Sequence, residues 1–488
     1  MSRSTLEQPP ATRAASDGAN TALQPIRAKL ASPSGGAIAL ALATAAQNVL
    51  GLAFTLIFAR WLGASGYASL AVLVSAFLVL SVPGTALQVA VARRLGRATS
   101  LAHAAAGRRR AESDAARVVA SAWPWIRAVA LATAICGGVG LAAREPLAGS
   151  LAIDEPWAAG LLPATAAAWA LLCVARGAWQ ALGRYRLVAA SIVADATFRI
   201  CAGVVLVAGG LGVAGAFAAS VASFLVVAAV LIFRLRGTAP PRAAASAQPS
   251  IGRLVSESAV PMAALGILLA MQEIHVIFAK HLNADRIAGG YAAVAVAAKT
   301  IVWVAVGLAM YTVPEAARRS AAGRDPRVAA LHALAILGLC SLGMVAIFAI
   351  AGRTVIRAAF GEELTAAVSA LAPLGAAMSG LAVAYVLAQY HVALGRRLPL
   401  AVLACALLVE LAVCAAFGQD PQLLAWGLAA VFSGAATVLA AYGFAPLPAG
   451  TDAHPAAPVV AVATRVDAAT AVGHADARDQ AQEQATRR

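Results

Sequence analysis

Among the ionisable side chains that stand in otherwise apolar stretches of the sequence, seven are candidates for chemistry: Arg176, Asp195, Arg199, Glu273, His275, Lys299 and Glu410. Two more, Arg60 and Lys280, lie where such stretches end. Groups of this kind have two chemical uses. A cation in a low-dielectric setting offsets the charge of an anionic ligand, a phosphate above all. A carboxyl or imidazole group takes up and returns a proton, or holds a small cation. Lys299, Arg199, Arg60, Arg176 and Lys280 are therefore candidate substrate contacts, with Lys299 foremost because it stands about twelve residues inside its apolar run. Glu273, His275, Asp195 and Glu410 are candidate sites of ion or proton coupling.

Each group also has a plainer reading. Asp195 and Arg199 are four apart, on one helical face, where they neutralise each other. Arg60 and Arg176 lie near helix ends and reach lipid headgroups. Lys299 pairs with Glu273 or Glu410, and the remaining groups hydrogen-bond to neighbouring helices.

Covalent and metal chemistry find no support. The six cysteines (Cys136, Cys173, Cys201, Cys340, Cys405 and Cys414) all fall in apolar stretches. None forms a CxxC pair or has metal-ligand spacing with histidine, so no metal and no cofactor are expected. Gly210-x-Gly212-x-x-Gly215 has the form of a dinucleotide fingerprint, but it joins two apolar runs and reads as a tight turn. No GxxxxGK[ST] phosphate loop is present.

The elements that carry these groups follow from composition. Of 488 residues, 61% are hydrophobic and 12% charged, and the mean hydropathy is +0.80. A soluble domain of ordinary composition carries roughly 25% charged residues. There is too little polar surface here to cover a globule, so the solvent is lipid. The net charge of +15 would otherwise suggest nucleic acid. Most of the basic residues sit instead in short loops between apolar runs, so no nucleic-acid partner is expected.

Twelve runs are long enough to cross: 36–59, 66–92, 124–143, 157–181, 187–209, 212–233, 255–280, 287–313, 328–350, 365–393, 398–417 and 421–445. They are read as helices, because an isolated strand in lipid leaves its backbone unpaired and the alternation of an outer-membrane barrel is absent. Pro314 ends the eighth. With the N-terminus inside, nineteen arginines fall in cytoplasmic loops against six basic residues outside. That asymmetry places both termini in the cytoplasm of an inner or plasma membrane. The Arg-rich stretch 93–117 reads as an amphipathic helix on anionic membrane lipid.

The chain repeats itself. Phe58-Ala-Arg-Trp-Leu-Gly-Ala answers Phe278-Ala-Lys-His-Leu-Asn-Ala, Ala92-Arg93-Arg94 answers Ala317-Arg318-Arg319, and Ala181-Leu-Gly-Arg184 answers Ala393-Leu-Gly-Arg396. The matches keep their order and their side of the membrane. The expected fold class is therefore all-α and integral to the membrane, about twelve transmembrane helices in two six-helix halves related by a parallel repeat. The expected organisation is a disordered tail over 1–35, halves over 36–236 and 253–445, a cytoplasmic linker over 237–252, and a second tail over 446–488.

Several of these residues also carry a family likeness. Ala59-Arg-Trp-Leu-Gly-Ala-Ser-Gly-Tyr-Ala68 with Gly84, Arg176-Gly-Ala-Trp-Gln-Ala-Leu-Gly-Arg-Tyr, Phe198-Arg199, the turn Gly210–Gly215, Gly289-Gly-Tyr291, Pro314 and Phe360-Gly-Glu362 occur in order. Over roughly residues 36–445 the chain resembles polysaccharide exporters of the multidrug/oligosaccharidyl-lipid/polysaccharide (MOP) superfamily. The resemblance implies a flippase that carries a lipid-linked oligosaccharide, such as a polyprenyl-pyrophosphate-linked one, from the inner to the outer leaflet by alternating access. Membrane lipids surround it, and a polysaccharide polymerase or glycosyltransferases are its implied partners. The family often has Asp in the seventh span, five residues before the basic residue. Here that position is His275, with Glu273 two residues earlier.

A cation-coupled multidrug exporter of the same superfamily is the alternative, which would favour acidic and aromatic groups around a cationic substrate. A membrane glycosyltransferase, polymerase or ligase is disfavoured. Its catalytic groups need sizeable outer loops, and the longest here are roughly 144–156 and 351–364.

Overall fold

In lipid each backbone N–H and C=O must find its partner inside the segment. A computed structural model describes residues 33–103, 108–236 and 251–444, and these are helical almost throughout, with no strand. The helices are α1 (Pro33–Leu80), α2 (Val82–His103), α3 (Arg108–Ala142), α4 (Arg144–Leu151), α5 (Pro156–Ala181), α6 (Tyr185–Leu206), α7 (Gly212–Arg236), α8 (Ile251–Leu282), α9 (Asp285–Ala321), α10 (Arg327–Phe360), α11 (Leu371–Ala393), α12 (Leu398–Phe417) and α13 (Pro421–Phe444). The tails, the 237–252 linker up to residue 250, and the side chains of 96–118 lie outside the described residues, and the tail, linker and amphipathic expectations fall there.

Ten helical stretches among the described residues are apolar and long enough to cross a membrane. Two of them, Ile38–Leu95 with 58 residues and Tyr185–Arg236 with 52, are each long enough for two crossings at about 1.5 Å per residue. Twelve crossings result. The chain is an all-α, multi-pass membrane protein in two six-helix halves.

The breaks within the long stretches differ from the expected ends, for local reasons. α1 runs through the first and into the second expected span, interrupted at Gly63, whose φ of 68° and ψ of −173° are not helical. The second span is broken again at Ser81, between α1 and α2. Pro314 does not end the eighth span: α9 continues past it to Ala321. A proline removes one backbone bond, and a helix held by its neighbours survives that loss. α10 overruns the expected end of the ninth span and reaches Phe360, with a local break at Ala351. Arg353 bonds Glu362 Oε1 at 2.9 Å just beyond the end of this extension. Between α6 and α7, Val207–Leu211 forms the expected tight turn, with φ of 88° at Gly210 and 49° at Gly212.

The described chain forms two compact units. The first holds the chain up to Leu62 and Leu80–Val255, and the second holds Gly63–Val79 and the chain from Ser256. The short stretch of α1 beyond Gly63 thus belongs to the second unit.

One helix is central in each. α5 packs against α2, α3, α4 and α7 in the first unit, and α11 against α9, α10 and α13 in the second. The apolar windows of α5 and α11 are 61% and 72% buried, against 11% for α3 and 22% for α10. The outer helices turn apolar side chains outward instead, as Leu131, Ile135 and Val139 do on α3. That is the surface a lipid solvent requires.

Both central helices end alike. Gly183 and Gly395 take φ of 69° and 74°, a left-handed conformation that glycine adopts without steric cost. The next residues close the turn: Arg184 N–H donates to Trp179 O and Arg396 N–H to His391 O, each at 3.0 Å. The repeat seen as Ala-Leu-Gly-Arg is one helix-ending device used twice.

Candidate functional site

In the first unit Arg176, on the central helix α5, is 2% exposed. It does not reach toward headgroups. Its Nε donates to Ser191 Oγ at 3.0 Å and its Nη2 to Ser191 O at 3.0 Å. Nη2 also meets Asp195 Oδ2 at 3.3 Å, which joins α5 to α6. Asp195 is 1% exposed, and Ser223 Oγ from α7 donates to its Oδ1. A fully paired, hydrogen-bonded charge is what a dry interior tolerates. The Trp169 ring lies 5.6 Å from the Arg176 guanidinium carbon.

The expected pairing of Asp195 with Arg199 is not formed. Asp195 faces Arg176, while Arg199 sets its guanidinium carbon 5.3 Å from the Phe54 ring centroid. Arg199 Nε is buried without a hydrogen-bond partner. Facing across the helix interface has overridden spacing along the helix. Arg60, near the Gly63 break of α1, is exposed.

In the second unit Lys299, on α9, donates from Nζ to Glu273 Oε2 of α8 at 2.6 Å. Both are buried, at 7% and 1% exposure. Ser75 Oγ donates to the same carboxylate oxygen at 2.7 Å, and Gln272 Nε2 to Oε1 at 3.3 Å. Of the two partners open to Lys299 in the sequence, Glu273 is the one it takes. The hydroxyl of Tyr67, one face of whose ring meets Phe360 at 6.2 Å, is buried and unbonded.

His275 lies two residues beyond Glu273 on a different side of α8. Its Nδ1 is 2.9 Å from the Tyr291 hydroxyl of α9, with the rings edge to face at 5.6 Å. Its Nε2 is buried without a partner. Glu410, on α12, is 0% exposed, and neither carboxylate oxygen has a hydrogen-bond partner. Lys280 pairs with Asp285, which also accepts from Ser65 Oγ at 2.7 Å. Asp285 is 38% exposed, so this pair stands at the rim of the unit.

The sequence-derived candidates therefore divide. Lys299 with Glu273, Arg176 with Asp195 and Lys280 with Asp285 are neutralised in place. Arg199 is left with an aromatic ring, and Glu410 and His275 are left with unfilled polar atoms. Ser75, Ser191 and Ser223, which complete the networks, were not singled out in the sequence. A serine in an apolar helix carries no mark of what it faces.

Neither a protein-family model nor a curated protein matches the sequence. Solved structures do match. An inward-facing conformation of a multidrug resistance MATE family transporter of the MOP superfamily aligns with a TM-score of 0.65 at 15% identity, covering 81% of this chain and 93% of that one. An outward-facing conformation under the same description aligns at 0.54 and 16% identity, covering 84% and 95%. A MOP superfamily transporter from Pyrococcus furiosus, described as having a binding pocket of reverse polarity that suggests a different function, aligns at 0.57 and 16% identity, covering 84% and 95%. The chain has the fold of MOP superfamily transporters.

Proposed function

We propose that this chain is a secondary transporter of the cell membrane that exports an organic amphiphile by alternating access, coupled to a proton or small cation. The shared fold supports the transport mode, since solved structures with this fold are described in both inward- and outward-facing conformations. The observation that carries the substrate reading is the Lys299–Glu273 pair at 2.6 Å. It occupies the cation that would otherwise be first in line to meet a phosphate. With Arg176 occupied likewise, the buried charge of the units is mostly internal, and a multidrug-type exporter is the better reading.

A second reading, transport of a lipid-linked oligosaccharide from inner to outer leaflet, has one observation in its favour. Arg199 is a cation within a span, held over Phe54 with its Nε unbonded. A pyrophosphate would suit it, and the sequence likeness to polysaccharide exporters points the same way. The polymerase and glycosyltransferases implied as partners belong to this reading.

Reconstitution into liposomes separates the two. Vesicles with an imposed pH gradient are loaded with ethidium in one arm. In the other they carry a fluorescent polyprenyl-pyrophosphate-linked sugar in one leaflet. Gradient-dependent movement of ethidium is expected. Leaflet exchange of the lipid-linked sugar, lost in Arg199→Gln, would replace the first reading by the second. A well-folded protein that moves neither would overturn the transport assignment for both classes.

A further inference from the structure

Of the four groups whose chemistry suits ion or proton coupling, two are already committed. Asp195 is held by Arg176 and Ser223, and Glu273 by Lys299, Ser75 and Gln272. Both carboxylates already accept hydrogen bonds from neighbouring donors. Glu410 and His275 differ in kind.

We propose that Glu410, together with the His275–Tyr291 pair, forms a proton-binding site inside the second unit. Glu410 is 0% exposed, and both of its oxygens lack a hydrogen-bond partner. It lies on the face of α12 that also buries Leu403, Ala406 and Cys414. An anion there has no protein donor to stabilise it, whereas one added proton removes the charge altogether. A metal cation binds through several converging oxygens. A carboxylate with no hydrogen-bonding neighbour provides no such cage, but a proton needs only one of its oxygens.

The neighbours agree. Tyr291 of α9 and Cys414 of α12 are near enough to Glu410 to interact with it electrostatically. α11 and α13 pack on α12, and the end of α8 meets the end of α12, where Asn283 Nδ2 donates to Gly418 O at 2.7 Å. Among the described side chains, the titratable groups these helices carry are Tyr385, Tyr390 and His391 on α11, Tyr442 on α13, and Glu273, His275, Lys280 and His281 on α8. Tyr291 in turn bonds His275 Nδ1 at 2.9 Å. Whichever tautomer His275 adopts, its buried Nε2 leaves an unfilled donor or acceptor position. Three polar groups on α8, α9 and α12 thus have spare hydrogen-bonding capacity in a dry interior, which is the setting in which a proton is bound and passed on. Binding adds H⁺ to one Glu410 oxygen, and release returns the carboxylate when the surroundings of the site change. The role in coupling rests on the transport reading above. The site itself does not.

The test is infrared spectroscopy of the purified full-length protein in detergent at neutral pH. The carbonyl stretch of a buried carboxylic acid, shifted in D2O, is expected in the parent protein. It should persist in Glu273→Gln, vanish in Glu410→Gln, and move in frequency in Glu410→Asp, a variant that keeps an acid if the amide fails to fold. Absence of the band from the parent, its survival in Glu410→Gln, or its loss when sodium replaces choline at constant pH would each overturn the proposal. A second arm follows ethidium in liposomes with an imposed pH gradient, where Glu410→Gln should lose all dependence on the gradient, and dependence retained at the parental level would refute the coupling role. If the parent moves no ethidium, the transport reading fails in that arm, and the infrared band still decides the site.

Discussion

Trp179 and His391 make the same hydrogen bond in the two units. Trp179 Nε1 donates to Leu231 O at 3.1 Å, from α5 to α7, and His391 Nε2 meets Leu439 O at 3.0 Å, from α11 to α13. Each residue stands five before the arginine that closes its helix, so the two positions are equivalent in the repeat. Two unlike rings place a nitrogen at the same spot. The bond requires His391 to carry its proton on Nε2, leaving Nδ1 to face Arg396 at 3.5 Å.

Trp179→Phe and His391→Phe should therefore have parallel effects. Each removes one donor to a carbonyl that keeps its own helix bond, a loss of about 1 kcal/mol. Thermal unfolding in detergent should show both midpoints lowered by about 1 °C. A large effect at one position and none at the other would show that the equivalence is only geometric.

The Lys299–Glu273 pair makes a sharper forecast. Lys299→Met leaves Glu273 buried beside Ser75 and Gln272 alone, a loss on the order of 3–5 kcal/mol. Adding Glu273→Gln should restore most of it, because no uncompensated charge remains. The measurement is protein level in the membrane together with the thermal midpoint. A single variant as stable as the parent would mean that the pair does not hold α8 to α9.

Asp195 should respond to Arg176 and not to Arg199. Arg176→Gln strands a carboxylate that is 1% exposed and should cost on the order of 3–5 kcal/mol. Arg199→Gln forfeits a contact with Phe54 worth roughly 1 kcal/mol. Equal losses from the two variants would revive the pairing suggested by their spacing.

Glu155 lies just outside the spans, where it accepts the Ala214 N–H at 3.1 Å at the start of α7. Burial, only partly offset by backbone bonds from Ala214 and Val213, raises its carboxyl above the usual range. With the folded value above the unfolded one, its contribution to stability is complete below the ordinary glutamate range and is lost as pH rises through the folded value. Glu155→Gln should accordingly flatten the decline of the thermal midpoint across the weakly acidic range. An unchanged slope would show that the decline comes from other groups.

Membrane orientation is open to direct measurement. Reporter fusions after Arg109, Gln248 and Arg324 should read as cytoplasmic, and those after Asp154 and Glu362 as external, from the arginine asymmetry of the loops. An external Gln248 would leave the halves with an odd number of crossings, against the parallel repeat.

Much of the fold was legible without coordinates. Apolar runs of spanning length report the lipid solvent wherever they occur, and a backbone in lipid has no option but to close its own bonds, so the helices and their number follow from the lengths of those runs. The Ala-Leu-Gly-Arg repeat was visible because the turn it forms needs glycine at one position, Gly183 or Gly395. Helix ends were less legible. Pro314 marks a stop in isolation, yet it sits inside α9, because packing of neighbouring helices replaces what the proline removes.

The identity of the charged groups was settled in the sequence, and their partners were not. Spacing along one helix favoured Asp195 with Arg199, but Arg176 reaches Asp195 from another helix. Ser75 meets Glu273 across 198 residues, a separation at which no local pattern operates. Only the packing of helix on helix decides which buried polar group finds a donor and which, like Glu410, does not. The physical reason is that desolvation acts on a side chain where it stands, whereas neutralisation depends on what stands opposite.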